Sequence, residues 1–134
     1  MKHPFYLLLA VFVIFFSCNS QKKLPNTDID VARAFIKDIQ ENNFKDAEPL
    51  ILVDDANKQY FDLFEKHFQS KSKEELDQFK NADIIVNEIS NVDDSTTIVN
   101  YSNSYKKEEK NKVKLVRVNG QWLVDLKYTF SGNL

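Results

Sequence analysis

Three hydrophobic patterns follow one another along this chain of 134 residues. Phe5 to Phe16 form an unbroken apolar run, residues 28–80 place apolar side chains at steps of three and four, and from residue 83 the period changes to two. Steps of three and four line one face of a helix, whereas a period of two lines one face of a strand. The chain is therefore expected to form helices and then a sheet, behind a separate N-terminal segment.

The first helix is the clearest element. We predict it over Asp28 to Glu41, because its apolar residues form a single stripe and Thr27 before it is a good N-cap. A second, short helix is expected from Phe44. Pro49 complicates this helix, since proline is tolerated only in a first turn, so the helix either starts near Asp46 or is irregular.

Two more helices follow before the sheet. The third spans Asn57 to Phe68, and the fourth, which is short, follows a capping box formed by Ser72 and Glu75. The third helix carries an aromatic stripe of Tyr60, Phe61, Phe64 and Phe68. Aromatic residues at this spacing usually pack into a core, so we expect a core position for them, with a ligand pocket as the alternative.

Four strands are expected in the second half, at Ile84–Ile89, Thr96–Tyr105, Lys112–Val118 and Gln121–Phe130. The best turn is Asn119-Gly120, because both residues tolerate the positive φ of a type I′ turn. A two-residue loop fixes the register of its hairpin. One face is predicted to pair Arg117 with Trp122, Leu115 with Val124 and Val113 with Leu126, and the other to pair Val116 with Leu123 and Lys114 with Asp125.

The outer face of this sheet carries apolar side chains that a single sheet layer would leave exposed. They are Ile98, Val116 and Leu123. Either a helix or a partner has to cover such a surface, and we expect a homodimer through this face. The charged segment at 106–112 is interpreted as a solvated loop and not as a binding patch.

Composition narrows the chemistry that the chain can perform. The formal net charge is −2, and residues 1–17 contain only Lys2 as a charged side chain, so we expect no nucleic-acid partner. Cys18 is the single cysteine and His67 is the one histidine after the apolar run, which excludes a His/Cys zinc site and a Cys-His catalytic centre. Two glycines cannot supply a phosphate-binding loop. No metal and no cofactor are expected.

The N-terminal segment has the layout of a signal peptide. Lys2 precedes the apolar run, and the run ends at Ser17 and Cys18. Twelve apolar residues are too few to span a bilayer comfortably, which takes about 20. The alternatives are an ordinary secretory signal, with the cysteine at the boundary by chance, and an uncleaved anchor.

The order of a basic start, an apolar run, a small residue and a cysteine resembles the lipobox of bacterial lipoproteins. Phe15, Phe16 and Ser17 precede Cys18, although Phe16 stands where that pattern usually has a small residue. The resemblance implies cleavage after residue 17 and a lipid on Cys18. The predicted organisation is thus a signal peptide at 1–17, a polar tether at 18–26 and an α+β domain at 27–134. The tether has no acidic cluster, which favours the periplasmic side of the cell envelope.

The domain resembles the nuclear transport factor 2-like (cystatin-like) superfamily over residues 27–130. The segments that carry the resemblance are VARAFIKDIQENNFKDAEPLI at 31–51, an isolated helical stretch before the sheet, and VKLVRVNGQWLVDL at 113–126. The resemblance implies a cone-shaped α+β domain in which a curved four-stranded antiparallel sheet wraps the first helix, sometimes around a pocket. Members of this superfamily include both enzymes and binding modules, so the fold alone does not specify a function.

Two functions remain open at this point. The first is a noncatalytic envelope domain that binds a small apolar ligand or an envelope protein. The alternative is a small pocket enzyme with isomerase-like or dehydratase-like acid/base chemistry, in which His67 or a tyrosine works with a carboxylate. The candidate pocket residues are Phe35, Tyr60, Phe64, His67, Phe68, Tyr101 and Trp122.

Overall fold

The computed structural model of the protein describes residues 23–130. The predicted signal peptide at 1–17, the predicted lipidation site Cys18 and residues 131–134 lie outside this range. The helices are α1 (Asp28–Gln40), α2 (Phe44–Ala47), α3 (Asp55–Gln69), α4 (Lys73–Lys80) and α5 (Leu126–Phe130), and the strands are β1 (Ile84–Asp93), β2 (Thr96–Asn103), β3 (Asn111–Val118) and β4 (Gln121–Asp125). The class is α+β, as predicted. Within residues 23–130, no helix combines the length and the apolar composition that crossing a membrane requires.

Capping side chains fix where the helices begin. The Thr27 side chain accepts a hydrogen bond at the start of α1, and Ser72 and Glu75 form both hydrogen bonds of the predicted capping box. Asp54 caps α3, which therefore begins two residues before the predicted start. Pro49 lies in the first turn of a 3₁₀ segment that continues α2, so the second helix is short and irregular.

The sheet is an antiparallel meander with the strand order β1-β2-β3-β4. Asn119 and Gly120 connect β3 to β4 with φ values of 51° and 80°, the positive values that the predicted hairpin turn needs. The register that this turn predicts is confirmed for four pairs, namely Arg117 with Trp122, Val116 with Leu123, Leu115 with Val124 and Lys114 with Asp125.

The prediction of a strand through Phe130 is wrong, because β4 ends at Asp125 and the chain turns into α5. The backbone N–H of Leu126 donates to the Asn57 side chain at 2.6 Å, and the N–H of Lys127 donates to the Asp125 carboxylate at 3.2 Å. The Asp125 carboxylate takes up the Lys127 N–H, which a longer strand would direct to β3, and Asn57 holds the first residue of α5. The predicted pair of Val113 with Leu126 therefore does not form, although both residues are fully buried.

The neighbouring strands also differ from their predicted lengths. β1 continues past Ile89 to Asp93, because pairing with β2 extends it through a mostly polar stretch that contains one register shift, between Asn91 and Asp93. β2 ends at Asn103 and not at Tyr105. The Asn103 side chain accepts a hydrogen bond from the backbone N–H of Lys106 at 2.7 Å, which begins the turn into the next loop.

The core lies between α1 and one face of the sheet, with an aromatic cluster from α2, α3 and α4 beside it. From α1 it buries Val31, Ala32, Phe35, Ile36 and Ile39, and from the sheet Val99, Val113, Leu115 and Val124. The aromatic members are Phe44, Phe61, Phe68 and Phe79. Burial of each large apolar side chain contributes about 1.5–3 kcal/mol, so this layer is the main source of stability.

On the outer face of the sheet, Ile98, Val116 and Leu123 are all half-buried. Val116 lies between Thr96 and Leu123 in the sheet, and Tyr128 of α5 packs near Lys114 on the same sheet face, with the Lys114 ammonium 5.6 Å from the ring centre. The last helix thus reaches this side of the sheet. A homodimer through this face stays a prediction.

Candidate functional site

A cavity of about 300 Å³ lies where the end of α1, the ends of α3 and α4, and the loop after β2 meet. Its apolar lining consists of Ile36, Ile39, Phe64, Phe68 and Phe79, and its polar lining of Gln40, His67, Lys71, Tyr101, Asn103, Lys106, Glu109 and Asn111. Most of the apolar side chains are buried, whereas His67, Glu109 and Asn111 are exposed. The cavity therefore has an apolar base and a polar rim, as small-molecule sites usually do.

Interlocked aromatic rings form the base of the cavity. The ring centres of Phe68 and Phe79 are 5.4 Å apart, those of Phe64 and Phe68 are 6.3 Å apart, and Phe44 supports Phe68 from below at 5.8 Å. Tilted and edge-on contacts of this kind contribute about 0.5–1.5 kcal/mol beyond the area that they bury. The base is therefore a rigid apolar surface, supplied by three different helices.

Two ammonium groups lie over a single ring of this base. The Nζ atoms of Lys71 and Lys106 are 5.6 Å and 5.5 Å from the centre of the Phe79 ring. Cation–π attraction holds each ammonium near the ring with about 0.5–1 kcal/mol at partly exposed sites. Lys106 also forms an ion pair of 3.2 Å with Glu109. The rim therefore carries two lysines and one carboxylate.

Gln40 is the most unusual polar residue of the cavity. Its side chain is 7% exposed, yet its amide nitrogen Nε2 has no hydrogen-bond partner. An unsatisfied buried donor costs about 1–3 kcal/mol. Gln40 lies in the last turn of α1, four residues after Ile36, so the helix itself directs this amide to the buried side. Gln40 thus lines the cavity, and its Nε2 lies in the cavity wall, beneath the accessible surface, as a donor without a partner.

Tyr101 supplies a second donor. It lies on β2 between Val86 and Asn111 of the neighbouring strands. Burial raises the pKa of its hydroxyl from 10.0 to about 12, because desolvation disfavours the phenolate. The hydroxyl therefore keeps its proton at physiological pH and acts as a hydrogen-bond donor or acceptor, and not as a base.

The structure brings together four of the seven predicted pocket residues, namely Phe64, His67, Phe68 and Tyr101. The other three lie elsewhere. Phe35 is buried in the core, Tyr60 is half-buried against it, and Trp122 lines a surface cleft beside residues 23–26 of the tether. His67 is exposed at the rim.

The remaining polar lining of the cavity was not predicted from the sequence. Gln40 had a usable signal, since it is a polar residue on the buried side of an amphipathic helix. The interpretation of 106–112 as a solvated loop is wrong for Lys106, whose side chain is only 29% exposed and reaches the Phe79 ring. Lys71 and Glu109 had no sequence signal, because only the fold brings them to the cavity.

The described residues offer hydrogen-bond donors and cations at this site, and no ready metal centre. Over 23–130, no three His, Cys, Asp or Glu side chains come together as metal ligands. The site can therefore hold an acceptor-bearing ligand by donation from Tyr101 and the two lysines, and from Gln40 once its side chain turns towards the cavity. Comparisons of the chain with protein-family models, with curated proteins and with solved structures found no match.

Proposed function

We propose that this protein is a lipid-anchored lipoprotein of the cell envelope whose α+β domain binds a small ligand in the cavity without converting it chemically. We further infer that the domain is a nuclear transport factor 2-like cone, with α1 against the concave side of the sheet. The anchor is the lipid on Cys18, and the domain faces the periplasm.

The unpartnered Gln40 amide carries the proposal. A buried donor without a partner is expensive, and a helix position that packs against an apolar base would favour leucine if stability alone mattered. A ligand acceptor compensates this cost when the Gln40 side chain turns its buried Nε2 towards the cavity on binding. The amide therefore fits a binding site better than a purely structural position.

The N-terminal sequence supports the anchor. The apolar run ends directly at Ser17 and Cys18, and the following residues are polar. Acyl chains contribute roughly 0.8 kcal/mol per buried CH₂, so several chains on one cysteine hold a domain at the membrane almost permanently.

The alternative, an acid/base pocket enzyme, has less support. Such an enzyme needs a base held close to its substrate, and Tyr101 keeps its proton because burial raises its pKa to about 12. His67 is solvent-exposed, and the Glu109 carboxylate is paired with Lys106. These groups are better arranged for binding than for proton transfer.

The proposal is tested by closing the cavity and measuring binding. Asn111 is an exposed residue at the rim, on the first position of β3, where a strand accepts tryptophan. Asn111→Trp places a large ring at the opening. Lys112→Trp is the matched control, because the next residue of a strand points to the opposite face.

The full chain in lipid nanodiscs is screened against a library of small polar and apolar compounds by ligand-observed NMR, with empty nanodiscs as the blank. We expect compounds that bind the wild type and the Lys112→Trp variant and lose binding to Asn111→Trp. The proposal fails if no compound shows binding that depends on residue 111.

A further inference from the structure

The lining of the cavity carries more positive than negative charge. Its titratable lining residues are His67, Lys71, Tyr101, Lys106 and Glu109, so two ammonium groups face one carboxylate. Both ammonium groups lie within 6 Å of the centre of the Phe79 ring. Lys71 lies in the turn after α3, and Lys106 lies in the loop after β2. A negative charge placed near this ring would interact favourably with both.

We infer that the cavity takes a small carboxylate with a short apolar body, its anionic end between Lys71 and Lys106 and its body against the phenylalanine base. The inference rests on the proposed function, because it specifies the ligand of the same cavity. It is carried by the convergence of two lysines on one ring and by the buried donor of Gln40.

The apolar lining and the volume limit the body of the ligand. Ile36, Ile39 and Phe68 are almost completely buried below the opening, so the deep part of the cavity is mainly apolar. A volume of about 300 Å³ is at the lower limit of ordinary ligand pockets. A single ring or a short alkyl chain fits this description, whereas a phospholipid does not.

In this arrangement, the Glu109 carboxylate competes with the ligand carboxylate for Lys106. Its carboxylate lies 3.2 Å from the Lys106 ammonium, where the carboxylate of a ligand would bind. Glu109 is on an exposed loop, and its side chain is 62% exposed, so it can leave the lysine without losing packing. A ligand carboxylate that interacts with both Lys71 and Lys106 would displace it, because Glu109 is paired with Lys106 alone.

The test uses two probes that differ in charge and hardly in shape, 4-phenylbutanoate and 4-phenylbutanamide. Their affinities for the full chain in nanodiscs are measured by titration calorimetry, with empty nanodiscs subtracted. We expect the carboxylate to bind about tenfold more tightly than the amide. We also expect Asn111→Trp to abolish the binding of both probes.

Three lysine variants and one glutamate variant identify the residues that cause the preference for the carboxylate over the amide. Lys71→Met and Lys106→Met keep an apolar stem over Phe79 while removing the charge, so each should reduce the preference for the carboxylate severalfold. Lys45→Met, at an exposed position outside the cavity, should leave it unchanged. Glu109→Gln removes the competitor and should tighten the binding of the carboxylate about threefold, an effect that a purely apolar pocket would not give.

Each outcome has a definite consequence. Tighter binding of the carboxylate that weakens in Lys71→Met and Lys106→Met supports the inference. Equal affinities for both probes, lost in Asn111→Trp, overturn the inference and leave the proposed function standing. If neither probe binds, the inference is overturned, and the library screen with Asn111→Trp decides the proposed function separately.

Discussion

The side-chain Oδ1 of Asn57 accepts a hydrogen bond from the backbone N–H of Leu126 at 2.6 Å, across a separation of 69 residues. Asn57 is fully buried, and its Nδ2 donates to Asp54 at 2.9 Å. One amide thus joins the first turn of α3 to the first turn of α5. This contact holds the first residue of α5 in place directly after β4.

Replacement of Asn57 by alanine is expected to destabilise the protein by about 2–3 kcal/mol. The change leaves the buried N–H of Leu126 without an acceptor and removes the donor to Asp54. Urea unfolding followed by circular dichroism measures the effect. The control is Gln59→Ala, an exposed position two residues further along the same helix, where we expect almost no change. Equal stabilities of the two variants would contradict the prediction.

The ion pair between Lys127 and Asp54, at 2.8 Å, predicts a pH dependence in acid. The hydrogen bond from Lys127 and those from Asn57 lower the pKa of Asp54 from 3.8 to about 2. A lowered pKa in the folded state contributes stability above pH 3.8, and this contribution is lost as the pH falls towards 2. Lys127→Met should make the loss of stability between these pH values smaller. Urea midpoints at several pH values test this, and identical slopes in wild type and variant would contradict it.

Gln40→Leu is expected to stabilise the free protein while weakening the binding of 4-phenylbutanoate. Leucine removes the unpaired Nε2 and improves burial, which should raise the stability by about 1–3 kcal/mol. In a domain of about a hundred residues, each kcal/mol raises Tm by roughly 4–8 °C. Thermal unfolding and calorimetry report the two effects separately. Gln59→Leu, on an exposed helix face, serves as the control. A lower Tm for Gln40→Leu would show that the amide already has a structural partner.

Cys18→Ser is expected to prevent lipid modification of the protein. The variant should not incorporate labelled palmitate and should no longer fractionate with membranes, whereas the wild type should do both. The serine variant differs by a single atom, so the export signal is otherwise intact. Palmitate labelling of the serine variant would refute lipidation at this cysteine.

Features that depend on neighbouring residues could be predicted from the sequence. Thr27, the Ser72–Glu75 box and Asn119-Gly120 each fix a boundary or a turn through contacts within a few residues. The helix α5 could not be predicted, because its first residue is held by Asn57, which is distant in sequence. Strand propensity in the segment after Asp125 was overridden by tertiary contacts such as this one.

The candidate site likewise has a part that could be predicted from the sequence and a part that could not. Phe64 and Phe68 were predicted as one stripe because helical spacing fixes their common face. Lys71 and Lys106 meet over Phe79 only because the loop after β2 folds back towards the end of α3. Exposed lysines have no periodic pattern, so their convergence is visible only in the fold.

The described residues before α1 lie along that helix. Lys23 and Leu24 line a surface cleft together with Ala34 and Asp38, which are about two to three turns into α1. Gln40, the last residue of the same helix, lines the ligand cavity. A lipid on Cys18 would thus hold the domain through a segment that lies against α1, and one helix would carry both the attachment and a wall of the binding site.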